Sequence, residues 1–387
     1  MSLFSDAPLI RRPKVRRLVL SDFRSYASLD LAVEGDMIAL TGENGAGKTN
    51  ILEALSLLTP GRGLRRADLA DCAREVGAGG WVVSVELEDD DHRVQLGTGR
   101  EPAESGLPQS RKCRIDRVPV GSARAFADHV RVVWLTPSMD GLFTGPAGDR
   151  RRFLDRLVLA VDPEHGARVS ALEKALRNRN RLLEDHFSET VWLDAAEHEI
   201  AEIAVAVAAA RSETVSRLAG LIQEGRSKET PFPWADLALA GELEAMLPDH
   251  PALEVEDRYR EILRANRARD AAAGRTLIGP QAADLIVKHG PKNADAARSS
   301  TGEQKALLVG LVLAHARLVA SMTGIVPLVL LDEIAAHFDP LRRTALYDNL
   351  VELGAQVWMT GADASAFAEL VERATLIHVT PGHAVAH

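Results

Sequence analysis

The chain has little of what a secreted, metal-stapled or membrane-embedded protein needs. Only two of its 387 residues are cysteines, Cys72 and Cys113. With no CxxC pair and no histidine cluster nearby, they argue against a disulfide framework and a structural zinc site and point to the reducing cytoplasm. The longest apolar runs are interrupted by Lys305, His315 or Arg317, and the basic segment from Met1 to Arg17 lacks an apolar core of signal-peptide length. No membrane span or targeting segment is expected. Net positive charge is missing as well. At a formal −9 the chain cannot coat nucleic acid by bulk charge, so any such contact must come from local basic clusters. These lie at Arg11, Arg12, Lys14, Arg16 and Arg17, at Arg62, Arg65 and Arg66, at Arg150, Arg151 and Arg152, and from Arg258 and Arg260 through Arg264, Arg267 and Arg269. Each reads either as a solvated face or as a phosphate track.

What is present is an ordinary globular composition, 46% hydrophobic and 26% charged, in a chain long enough for two or more units. The most specific stretch is Gly42-Glu43-Asn44-Gly45-Ala46-Gly47-Lys48-Thr49-Asn50. It follows an apolar strand-like run, Met37 to Leu40, and opens into a helical segment, Ile51 to Leu58. Strand, glycine loop and helix together form a phosphate cradle in which backbone N–H groups and the positive helix end face one anion. Lys48 is expected to reach the β- and γ-phosphates of ATP, and Thr49 to offer its hydroxyl to Mg²⁺.

In chain order, short strands are expected over Val15–Leu20, Ser28–Val33 and Met37–Leu40, then over Trp81–Leu87, Arg93–Leu96 and Arg114–Val120. Arg24, just ahead of the first hairpin turn, is either near the nucleotide or a surface charge. An acidic turn is read at Asp89–Asp91 and a loop over Gly97–Ser110. Val130–Leu135 closes this part as a further strand. Helical spacing then runs over Asp149–Leu159, Pro163–Asp185, Glu189–Glu224 and Val255–Asp270, a helical insertion whose longest member spans only ~50 Å. The sheet is expected to resume at Thr276–Gly279 and Leu285–Lys288. The domain reading is therefore an ATPase lobe of residues 1–148 and 276–387 enclosing a helical lobe of 149–275.

The second half of the nucleotide chemistry follows. Ser299-Ser300-Thr301-Gly302-Glu303 precedes an apolar helix and forms a second anion-type turn, although Ser-x-x-Glu caps are common. Val326 to Leu331 is an apolar strand ending in Asp332 and Glu333. Ionised residues are tolerated there only where the strand emerges beside a cation or water. Asp332 is expected to hold Mg²⁺ and Glu333 to polarise the attacking water. A later strand, Gln356–Met359, ends in Thr360-Gly361-Ala362-Asp363. His378, His383 and His387 read as part of a terminal tail.

The order of phosphate loop, helical insertion, Ser-x-Gly turn and Asp-Glu strand resembles the ATP-binding-cassette class. The implied fold is an α/β P-loop ATPase head with a mixed β-sheet lobe and a helical lobe carrying a short antiparallel arm. By that resemblance Ser300 and Gly302 serve the γ-phosphate bound by a partner subunit, and Asp339, in His337-Phe338-Asp339, sits at the dimer seam. Transporter cassettes place a histidine where this chain has Gly361, which turns the reading away from a transporter subunit and hands part of that role to Thr360 or a water, with slow turnover. A long-armed chromosome-maintenance protein is disfavoured by the short insertion. Within the class, Leu18-Val19-Leu20-Ser21-Asp22-Phe23-Arg24-Ser25-Tyr26, Gly61-Arg62-Gly63, Arg150-Arg151-Arg152-Phe153-Leu154-Asp155 and Thr276-Leu277-Ile278-Gly279-Pro280 resemble the RecF family of recombination mediators. One departure is Gln281-Ala282-Ala283-Asp284, where that family has a more charged run. The resemblance implies an ATP-dependent homodimer that binds gapped or single-strand/double-strand DNA and works with RecR and RecO in loading RecA. Arg62, Arg65, Arg66 and Arg150–Arg152 are the expected DNA contacts, with ion pairing inside the protein as the rival role for the second group.

Overall fold

A computed structural model of the chain describes residues 10–89, 92–102, 110–185, 190–227, 230–333, 338–362, 364–370 and 373–386. His337, Asp363, His387, Asp90 and Asp91, Glu189 and residues 103–109 of the expected loop lie outside that set. The chain divides into two units, one of residues 1–140, 229–232 and 308–387, the other of 141–228 and 233–307. The second thus takes in residues 276–307, which the sequence reading grouped with the ATPase lobe.

The first unit holds two six-stranded sheets. One is antiparallel throughout, in the order β2 (Tyr26–Ala32), β1 (Lys14–Phe23), β4 (Trp81–Asp89), β5 (His92–Arg100), β6 (Lys112–Ile115), β7 (Val118–Val120). Along β4, Trp81, Val83, Val85 and Leu87 are buried while the residues between them are more exposed, the period-two signature of a half-covered sheet. The other sheet has the order β15 (His383–Ala386), β14 (Ala374–Thr380), β3 (Met37–Thr41), β13 (Val357–Thr360), β12 (Leu328–Leu331), β8 (Val132–Leu135). Its strands are parallel apart from β15. Every residue of β3, β8, β12 and β13 is buried, so these four read in sequence as continuous apolar runs. Helix α1 (Lys48–Ser56) leaves the phosphate loop, and α9 (Pro340–Leu353) is capped by Asp339, whose carboxylate accepts the Arg342 N–H at 3.0 Å.

The second unit is helical around a small sheet. Its elements are α2 (Ala147–Val161), α3 (His165–Glu184), α4 (Thr190–Glu224), β9 (Ala235–Ala240), α5 (Glu242–Met246), α6 (Ala252–Ala265), α7 (Arg267–Ala273), β10 (Asp284–His289) and β11 (Ala294–Asp295). Leu172 and Leu176 of α3 meet Ile200, Ala204 and Val207 of α4 and Val255, Tyr259 and Leu263 of α6 in one core. That is the apolar stripe of an amphipathic helix finding its partners. The unit boundary falls within α8 (Thr301–Thr323). By length and composition α8 could cross a membrane, yet its side chains from Ala306 to Leu311 are almost wholly buried in the protein, as in a core helix.

Four expectations needed correction. The loop read from Gly97 begins later, because β5 runs on to Arg100; Gly99 admits the Trp81 carbonyl oxygen to 2.5 Å from where a Cβ would stand, so Gly99 serves close strand pairing. The strand read over Arg114–Val120 is a hairpin turning at Asp116 and Arg117, whose φ values of 48° and 68° suit a two-residue turn. The helix read over Val255–Asp270 breaks at Asn266, whose Nδ2 donates to the Ile262 carbonyl at 2.8 Å and ends α6. Finally, Thr276–Gly279 is no strand. Its backbone groups bond to side chains instead, Thr276 N to Asn180 and Leu277 N to Asp270, and the sheet that follows is the separate β11-β10-β9 layer.

Candidate functional site

The phosphate loop leaves the C-terminal end of β3, and Asp332 follows the C-terminal end of β12. Between those two parallel strands runs β13, ending in Thr360, so the topology alone puts Thr360 between loop and carboxylates. The side chains complete the arrangement. The Thr49 and Thr360 hydroxyls both donate to Asp332 Oδ1 at 2.9 Å, and Thr360 Oγ1 accepts the Glu333 N–H at 2.8 Å. Glu333 itself is exposed and sits at φ 54°, a left-handed conformation that a glutamate holds only when its surroundings fix it. A hydroxyl and a carboxylate converging beside a phosphate loop fit Mg²⁺, which takes one or two protein oxygens and fills its octahedron with water and phosphate.

Lys48 is buried, and its ammonium donates to the carbonyls of Gly42 at 2.6 Å and Glu43 at 2.8 Å. Those bonds curl Glu43, Asn44, Gly45 and Ala46 around it. Gly47, at φ 113°, has no room for a side chain: Ser25 Oγ and the Tyr26 hydroxyl each lie 2.8 Å from its Cβ position, and that hydroxyl donates to the Gly47 carbonyl at 3.2 Å. Asn50 donates to Ser25 Oγ at 2.8 Å. The first hairpin therefore braces the loop through Ser25 and Tyr26, a role the sequence pattern did not disclose.

Arg24 is engaged on α1. Its guanidinium forks onto the fully buried Glu53 carboxylate at 2.6 and 2.8 Å and also donates to the Asp71 carbonyl. Arg65 reaches the same Glu53 at 3.0 Å and Asn50 at 2.7 Å. Glu53 thus links the phosphate-loop helix to the basic turn. The available signal was a carboxylate on the apolar face of a short helix, which cannot stay ionised and buried unpaired. Arg111 ties down the turn that follows α1, donating to the carbonyls of Leu57, Thr59 and Gly61. Burial pushes the Cys72 thiol up to about 11 and keeps it inert.

At position 361 the Phe367 ring lies 2.7 Å from where a Cβ would stand. A histidine does not fit there without rearrangement.

In the second unit, Ser300 caps α8 in a reciprocal box: Ser300 N–H donates to Glu303 Oε2 at 3.1 Å and Glu303 N–H to Ser300 Oγ at 3.4 Å. The Lys292 ammonium, with that Ser300 N–H, holds the Glu303 carboxyl down at about 2. Nothing stands within 4 Å of the Cβ position of Gly302, so the turn is open to an approaching group.

The six arginines read as DNA contacts have different surroundings. Arg62 pairs with Asp68 at 2.7 Å in a largely exposed contact, and Arg66 is exposed on the same turn. Arg150 forks onto Asp284 at 2.7 and 2.8 Å and donates to the Gly145 carbonyl, while Arg151 donates to the Ala283 carbonyl. Arg152 pairs with Asp149. The triplet therefore ties α2 to β10, and Asp284 is its main anchor. Asp155, close to the triplet in sequence, binds Arg211 and His165. Gln281 donates to the carbonyls of Thr276 and Ile278, so the departure there stiffens its own turn.

Over residues 14–384 the chain matches the family described as RecF/RecN/SMC N terminal domain. It is 52% identical over 369 residues to the DNA replication and repair protein RecF of Mesorhizobium japonicum, which covers 95% of this chain and 96% of that protein. Against the protein of the same name from Agrobacterium fabrum the identity is 52% over 376 residues, 97% and 99% of the two chains. Among solved structures it is similar to the recombination mediator protein RecF bound to an ATP analogue, with a TM-score of 0.85 and 18% identity over 98% of this chain and all of that one. It is less similar to an Smc head bound to the winged-helix domain of ScpA, at a TM-score of 0.52 and 13% identity over 96% and 97%. These likenesses establish the fold as an ATP-binding-cassette head of the RecF and Smc type.

Proposed function

The chain belongs to the RecF family, and from that premise we propose that it is an ATP-gated DNA-binding dimer of recombinational repair and replication. The observation that carries the ATPase part is the hydrogen-bond chain Thr49–Asp332–Thr360–Glu333. In this reading the Lys48 ammonium exchanges its two loop carbonyls for phosphate oxygens, and the N–H groups of Gly45, Gly47, Lys48 and Thr49 cradle the rest. Thr49 and Asp332 would hold Mg²⁺, which when bound would supply positive charge to offset that of the phosphates. Glu333, fixed by its N–H bond to Thr360, orients and polarises the attacking water. No histidine assists at position 361, so turnover is slow, and the same crowding argues against a transporter subunit.

Ser300 and Gly302 complete the site of a second copy, with Asp339 at the seam, so ATP binding and dimerisation are one equilibrium. The dimer binds gapped or junction DNA in the cytoplasm and acts with RecO and RecR, the partners of the pathway named for its structural relative. Arg62, Arg65 and Arg66 lie on the turn after α1 and contribute phosphate contacts. An exposed ion pair such as Arg62–Asp68 is worth little and yields its guanidinium readily. Of the second cluster, Arg150 and Arg151 act mainly inside the protein and Arg152 is the member at the surface.

The test is fluorescence anisotropy of a labelled gapped duplex titrated with Glu333→Gln protein, with and without Mg-ATP. Tight binding only with Mg-ATP is expected. Nucleotide-independent affinity, or none from protein that binds ATP, overturns the gated-clamp reading.

A further inference from the structure

In the second unit we infer a separate DNA-phosphate track, made of Arg181, Arg269 and Arg275. The inference rests on the DNA-binding reading above and gives it a second surface. All three side chains are exposed, and among the described residues none has an ion-pair or hydrogen-bond partner for its guanidinium. The arginines of α6 and its junction with α7 behave otherwise: Arg258 pairs with Glu254, Arg260 with Asp257, Arg264 with Asp194 and Arg267 with Glu197. A cation left unpaired on an acidic chain is available to an outside anion at no cost in broken ion pairs.

The three converge because their sequence neighbours are bonded together beneath them. Fully buried Arg179 donates to Glu197 at 3.0 Å, to Asp270 and Thr276 at 2.8 Å each, and to the Leu263 carbonyl at 2.7 Å. Asn180 Oδ1 accepts both the Thr276 N–H at 3.0 Å and its hydroxyl at 2.9 Å. Arg181 follows Asn180, Arg269 precedes Asp270 and Arg275 precedes Thr276. Two stretches distant in sequence, 179–181 and 269–276, thus bring three exposed arginines to the surface over a single buried network. Lys174, exposed and likewise unpaired among the described residues, lies two turns before Arg181 on the same face of α3, about 10 Å away along the axis. The track therefore extends along the helix. Glu184 is an exposed acid at its rim. Guanidinium groups presented this way neutralise backbone phosphates and read no base sequence.

The experiment is anisotropy of the gapped duplex across a range of salt concentrations with a slowly hydrolysed ATP analogue. It compares the unmodified chain with Arg181→Ala/Arg269→Ala/Arg275→Ala and with the corresponding triple lysine variant. Three lost phosphate contacts reduce the slope of log affinity against log salt by about 2.7 per bound protomer. Lysine keeps the charge and should keep the slope, while ATP affinity should be the same in all three proteins. Glu184→Gln, which leaves the arginines untouched, should raise DNA affinity and serves if the alanine variant does not fold. An unmodified chain that binds DNA steeply with salt, alongside an alanine variant of equal slope or a Glu184→Gln variant of equal affinity, removes the track and leaves the DNA reading standing. An unmodified chain that does not bind DNA removes both.

Discussion

Thr360 is the residue that turns two neighbouring strands into one site. Its hydroxyl donates to Asp332 and accepts from the Glu333 backbone, so it fixes the carboxylate and the left-handed glutamate at once. Thr360→Val keeps the volume and removes both bonds, exposing a buried carboxylate to loss of one donor, worth about 1.5–3 kcal/mol for a charged group. If that loss falls on the positioning of Glu333, kcat drops by roughly 10- to 150-fold while ATP affinity measured by calorimetry changes little. Equal losses in affinity and kcat would instead assign Thr360 to ground-state binding. Thr360 was legible from sequence as the end of a strand beside a missing histidine. Its two partners were not, because the β3-β13-β12 order that places it between them is a long-range property. Glu53 and Tyr26 were missed for the same reason: each looks like a core position until the arginine or glycine it serves is brought to it.

Among the elements, the parallel strands were legible because burial on both faces makes each an unbroken apolar run, and α3 and α4 because their apolar spacing holds over many turns. Short or polar elements were not. β9 carries only Leu237 and Leu239 as its stronger apolar residues, and Thr276–Gly279 has the composition of a strand but satisfies its backbone through Asn180, Asp270, Tyr259 and Gln281. The Arg179 network is what holds that segment. Arg179→Met should leave Glu197 and Asp270 short of a buried cation and cost about 3–5 kcal/mol, read as a lower denaturant midpoint for the second unit. A midpoint within about 0.5 kcal/mol of the parent, the range of a surface substitution, would mean that Arg267 and the backbone donors suffice.

At the scale of the whole molecule, each chain carries a phosphate loop with its Asp-Glu strand in one unit and an open, capped Ser-x-Gly turn in the other. In the proposed dimer the turn serves the nucleotide of a second copy, so that ATP acts as the glue of the pair and DNA meets surfaces contributed by both copies. The order of these motifs along the chain carries the family resemblance that implies such a dimer, since motif order survives where boundaries and pairings do not. The most direct test is the mass of the Glu333→Gln protein in solution, measured with and without Mg-ATP and repeated with Ser300→Arg added. The account predicts a single chain without nucleotide, a dimer with it, and a single chain that still binds ATP once Ser300→Arg blocks the turn. An ATP-bound Ser300→Arg protein with the full dimer mass would contradict it.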